Sequence, residues 1–198
     1  MRVRDVRLCD SLSRMADPGD SARTRESCDE CGFDATAWDR ARAAAELQKL
    51  GDTWRDGFGA HDTARLTRRP SPEVWSAVEY TVHTAKTIDW WHMACRTLVE
   101  GGVVVFDPDG YPDADIHPYN DVPVNDALGQ LADSARSIAT FAAGASEAAL
   151  AMPIQFDLPG LAEQYAAAGI ADVADGITHA VHDALHHLDD IARGLSQP

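Results

Sequence analysis

Apolar residues recur at three- and four-residue spacing through four long stretches of this chain, and no stretch alternates convincingly with a period of two. That pattern confines the fold to amphipathic helices packed on one another. In the first stretch, about Thr36 to Gly57, Leu47, Leu50, Trp54 and Phe58 share a face. The second opens on Ser71-Pro72-Glu73, a capping residue, a proline suited to the first helical position and an acid at the positive end of the helix dipole. It runs to about Glu100 and stops at Gly101-Gly102. The third, about Asn125 to Ala143, carries the stripe Val124, Leu128, Leu131, Ala135, Ile138 and Ala142. The last, about Ile170 to Leu195, follows a short helical piece at Leu161–Ala168. Between the second and third helices Pro108, Pro112, Pro118 and Pro123 break regular structure, leaving only a short extended run at Val103–Phe106. This loop, with Tyr111, His117, Tyr119 and Asn120, is long enough to cover a cleft. The expected fold is an all-α four-helix bundle over residues 31–198, with a flexible, polar N-terminal arm over residues 1–30.

Charge narrows the partners. The formal net charge of −15 repels nucleic acid and anionic membrane alike, so neither is expected to bind. The opening Met-Arg-Val-Arg-Asp-Val-Arg has no apolar stretch of the kind a signal peptide needs, which makes the cytoplasm the expected location. Cys9, Cys28, Cys31 and Cys95 are too few and scattered for a disulfide framework. Cys28-Asp29-Glu30-Cys31 has the spacing of half a zinc knuckle or of a redox pair. A structural zinc needs four ligands and no second cysteine pair exists, so the segment reads first as a turn with two reduced thiols. Cys95, within the second helix, reads as a small buried hydrophobe.

The last helix offers histidines and carboxylates in number, and periodicity sorts them. With about 100° per residue and Ile177 as reference, Val173, Val181, Ala184, Leu188, Ile191 and Leu195 form the buried stripe. His187 and Asp183 lie about 80° and about 120° from its centre, on one flank. His182 and His186 lie near about 140° and 180°, on the outer face, and His179 also points outward. The plainer reading of such a helix is a solvated histidine-rich face. On the second helix, however, His83 shares a side with Trp75, Glu79, Val82, Trp90 and Met93. Two helices thus each place ligand-type residues beside the core, and a divalent metal would offset the cost of burying them. Two histidines and one carboxylate make a three-ligand site with an open position, the catalytic rather than the structural pattern; zinc, nickel or iron would suit it.

The run Trp75-Ser76-Ala77-Val78-Glu79-Tyr80-Thr81-Val82-His83 resembles the second-helix signature of the DinB-like superfamily. His182-Asp183-Ala184-Leu185-His186-His187-Leu188-Asp189-Asp190-Ile191 is similar to its fourth-helix signature, and Cys28-Asp29-Glu30-Cys31-Gly32-Phe33-Asp34 to a start seen in actinobacterial members. The resemblance implies a four-helix bundle, often a homodimer, holding a divalent metal through one helix-two histidine and two helix-four ligands. Carried over, these are His83, Asp183 and His187. Family members place His or Glu where Asp183 stands, and His182 or His186 would take over were the helix rotated.

The activity implied is that of mycothiol-dependent maleylpyruvate isomerases and thiol S-transferases: a metal-bound thiolate of a low-molecular-weight thiol attacks an electrophilic small molecule, with mycothiol as the co-substrate. One alternative is a hydrolase using metal-bound hydroxide, with Glu79, one turn before His83, as base. Another is a non-catalytic, stress-related bundle.

Overall fold

The computed structural model describes residues 24–107, 113–115 and 117–197. Residues 1–23, with Cys9, and Tyr111 fall outside these. The described residues form seven α-helices, two short 3-10 helices and only isolated β-bridges. Four helices are long: α1 (Arg40–Phe58), α3 (Ala77–Val99), α4 (Val124–Gly144) and α7 (Val173–Ser196). The short helices are α2 (Thr63–Leu66), α5 (Glu147–Leu150) and α6 (Leu161–Ala167). Each long helix packs on two others in the cyclic order α1, α4, α3, α7, which is a four-helix bundle. No helix among the described residues is long and apolar enough to cross a membrane.

The apolar stripes form the core. Leu47, Leu50, Trp54 and Phe58 of α1 meet Leu128, Leu131, Ala135 and Ile138 of α4, all buried. Gly51 and Ala132 let these two helices approach closely, because a side chain at 51 would overlap the Ala132 methyl. Val173, Ile177, Val181, Ala184 and Ile191 of α7 are buried as the periodicity predicts, while Leu188 and Leu195 are half-buried. Gly176 fits flat against the Trp91 ring, setting the α3–α7 spacing. Val103–Phe106 contributes one parallel bridge, Val104 to Phe156, and no strand.

The second helix starts later than Ser71-Pro72-Glu73 predicts. Ser71 and Val74 close a tight turn, and the cap is Ser76, whose hydroxyl accepts the Glu79 N–H at 3.1 Å while Glu79 Oε2 accepts the Ser76 N–H at 2.8 Å. A reciprocal capping box satisfies two orphan amides, where Ser71 could satisfy only one. The first and last helices likewise start after the expected Thr36 and Ile170, because Asp39 and Asp172 cap them.

A larger departure concerns the N-terminal arm. Residues 24–30, read above as the end of that arm, lie with 31–34 as a strap along α7, and Glu26 and Cys28 are buried there. The strap folds back on itself through the Ser27–Asp34 bridge and the bond from Ala35 N–H to Glu26 O at 2.9 Å. Arg25 pairs with buried Asp175 at 3.4 Å. Gly169, with φ +88°, forms the turn beneath it, and a Cβ there would collide with the backbone of Arg25 and Glu26. Gly169→Ala is therefore expected to destabilise the protein by at least about 1–2 kcal/mol from the left-handed backbone alone. Urea denaturation showing an unchanged midpoint would contradict this packing.

Candidate metal centre

The capping box fixes where α3 begins, and His83 follows one turn after Glu79 on the side facing α7. On α7, Asp183 and His187 are one turn apart and face the same gap. The Asp183 Oδ1 atom lies 3.5 Å from His187 Nε2 and 3.9 Å from His83 Nε2. The two imidazoles meet edge to face, 4.9 Å between centroids. One ligand atom from each residue therefore lies within 4.8 Å of the others, close enough to share a common ion. His83 and the Asp183/His187 pair, which begins 100 positions later in the sequence, converge.

Second contacts orient the group. Asp190 Oδ2 is 2.9 Å from His187 Nδ1, so that nitrogen donates to Asp190 and Nε2 is left to face Asp183 and His83. Trp75 packs on His83 and Tyr80 on His187, each with 5.0 Å between rings. The His83 side chain is 7% exposed and those of Asp183 and His187 are 12% and 13%, so the cluster is walled but not sealed.

Its electrostatics are those of a buried carboxylate–imidazole pair. Burial by itself would raise the Asp183 carboxyl, but His187 and His83 hold it well below the usual carboxylate range. Burial would lower His187, but Asp183 and Asp190 push it up to about 9. The second oxygen of Asp183, Oδ2, is buried and makes no hydrogen bond. A buried carboxylate oxygen without a partner is costly, and a cation is what would satisfy it. The donor set of two imidazoles and a carboxylate fits zinc, nickel or iron(II).

Glu79 is engaged elsewhere. Its carboxylate takes Arg69 Nε at 2.8 and 3.0 Å, Arg69 Nη2 at 2.7 Å and the Ser76 amide. Arg69 also binds Asp115 at 2.8 Å, and Asp115 accepts the Trp75 indole N–H at 3.3 Å. The loop between α3 and α4 is thus tied to the start of α3, where Asn120 also accepts the Ser76 hydroxyl at 2.6 Å. Glu79 holds this corner, which leaves it poorly placed to take a substrate proton.

A family model for the DinB superfamily matches residues 35–191. The chain belongs to the DinB superfamily. No curated protein and no solved structure matches it. The DinB superfamily includes metal-binding members, and the four-helix bundle with its paired ligand groups accords with that. In this DinB chain Trp90 is half-buried and Trp91 fully buried in the core, Met93 is 44% exposed, and Cys95 is buried against Val173 O.

Two histidines depart from the sequence reading. His182 and His186, assigned to the outer face, are 2% and 6% exposed. Their helical phase was correct, but the strap covers that face: Phe33 stacks on His182 with 4.5 Å between centroids, and Glu26 Oε1 lies 2.8 Å from His182 Nδ1. His179 is half-buried against the same carboxylate at 2.6 Å. Periodicity locates the bundle core and says nothing about a non-helical segment on the far side.

Proposed function

We propose that this protein is a metal-dependent transferase or isomerase that uses a low-molecular-weight thiol of the mycothiol type, with His83, Asp183 and His187 as the metal ligands. The observation that carries the reading is the convergence of these three side chains around the unpartnered Asp183 Oδ2. A divalent ion held there would lower the pKa of a thiol reaching the open side of the site and so raise its thiolate fraction at neutral pH. The chain's own residues do the rest. Asp190 fixes the His187 tautomer, Trp75 and Tyr80 pack on the imidazoles, and Asp115, tied to Arg69, holds the Trp75 indole N–H beside His83.

The test is elemental analysis of tag-free protein, followed by conjugation of mycothiol to an activated electrophile. A metal content that falls by about one equivalent in His83→Ala, together with metal- and thiol-dependent turnover, supports the proposal. No metal above trace at the His83 site after loading refutes it. The hydrolase alternative is disfavoured because Glu79, its expected base, is committed to Arg69 and Ser76; turnover of an ester without added thiol would revive it.

Metal binding is expected to depend on pH through His187. A proton held up to about pH 9 must leave before Nε2 can ligate, so apparent affinity should tighten roughly tenfold per pH unit from 7 toward 9. Calorimetry in two buffers of different ionisation enthalpy should read about one proton released per metal at pH 7. In the metal-free protein the sign reverses. The raised His187 pKa contributes stability fully below about 6.5, and that contribution is lost as pH rises through about 9.

A further inference from the structure

The strap does more than cover α7. Residues 27–34 form a tight knuckle in which the Cys28 N–H donates to Phe33 O at 2.9 Å and Gly32 takes φ +72°. Within it the amides of Glu30 and Cys31 point at the Cys28 sulfur and that of Phe33 at the Cys31 sulfur. Opposite stand His182 and His186, one turn apart on α7. Cys28 Sγ is 3.7 Å from His186 Nδ1, and one ligand atom from each of Cys28, Cys31, His182 and His186 lies within 4.8 Å of all the others. A tetrahedral zinc with Zn–S about 2.3 Å and Zn–N about 2.0 Å sets ligand-to-ligand edges of roughly 3.3–3.8 Å. The observed separation already falls on such an edge.

The surroundings are built for the same end. His182 Nδ1 faces Glu26, and the buried Nε2 finds no hydrogen-bond partner. A carboxylate behind a histidine whose other nitrogen is left unpartnered toward two thiols is the outer arrangement of a metal ligand. Phe33 fixes the imidazole plane. His186 Nε2 has Asp190 and Glu30 carboxylates at 3.8 Å on its far side. A redox role for the two cysteines would leave both histidines unexplained.

We propose that Cys28, Cys31, His182 and His186 form a Cys2His2 structural zinc site that clamps the N-terminal strap to α7. Binding exchanges the two thiol protons for the dication, leaving two thiolates, two neutral imidazoles and no net charge at a buried centre. Four protein ligands close the coordination sphere, so this site holds structure and leaves no position for substrate. It is separate from the His83 group and does not rest on the function proposed above.

The test uses tag-free full-length His83→Ala protein, purified under reducing conditions and loaded with zinc or, separately, cobalt(II). X-ray absorption is expected to show two sulfurs at about 2.3 Å and two nitrogens at about 2.0 Å around zinc, and the cobalt form to show a thiolate charge-transfer band with intense tetrahedral visible bands. Cys31→Ser in the same background should weaken zinc binding by more than about a hundredfold, beyond the loss expected for an outer contact. If that variant does not fold, absorption spectroscopy of the parent still decides. Zinc ligated only by nitrogen and oxygen, no sulfur-ligated metal after loading, or a Cys28–Cys31 disulfide in the reduced preparation each overturns the proposal.

Discussion

Replacing His187 by alanine should remove the metal from the His83 group and lower thiol-transfer turnover by more than about a hundredfold, since losing even an outer partner of a metal ligand costs 10–100-fold. The residue is the hub of the cluster: Nε2 faces Asp183 at 3.5 Å, Nδ1 meets Asp190 at 2.9 Å, and the ring packs on Tyr80 and His83. Asp190→Asn should fall between, about tenfold down, because the asparagine oxygen can still accept from Nδ1 without its charge. Steady-state kinetics at saturating metal, paired with far-ultraviolet circular dichroism to verify folding, distinguishes these cases. A folded His187→Ala protein with parental metal content and turnover would remove the site from the mechanism.

Glu79→Ala should be the most damaging change at the start of α3, costing about 3 kcal/mol. It strips Arg69 of its bidentate partner and the Ser76 amide of its acceptor at one stroke. Arg69 is a quarter exposed, so the loss sits at the low end of the range for a broken buried pair. Glu79→Gln keeps an acceptor for Ser76 and should recover more than half of that stability. If Glu79 only holds the corner, kcat per folded, metal-loaded protein stays within a few-fold in Glu79→Gln and its pH profile does not move. Loss of one limb of that profile, with stability retained, would instead make it the base.

These expectations show which links are written in the chain itself. Most residues of the stripes on α1, α4 and α7 are buried, because each long helix buries one face against the bundle and 3.6-residue periodicity reports that face directly. The inner flank of α7 that carries Asp183 and His187 was legible for the same reason. Helix starts were less so: Ser71-Pro72-Glu73 and Ser76-Ala77-Val78-Glu79 both satisfy local rules, and the reciprocal hydrogen bonds of the second set decide between them. The strap was misread because its segment is polar, short and aperiodic, and its anchorage comes from partners about 150 residues away. Yet the two halves of its contact were visible as a Cys-x-x-Cys and a His-x-x-x-His. Cysteine count by itself does not show them as one set, because histidines can supply the other two ligands of a zinc site.

The boundary of the family match at residue 35 invites trimming of the chain to that point. Such a fragment would keep all four long helices and the His83 group, yet lose Phe33 from the face of His182 and Arg25 from Asp175. The newly bared flank of α7, with uncovered aromatic and apolar edges, would make the shortened protein prone to self-association. Expression designs for this chain should begin no later than residue 24.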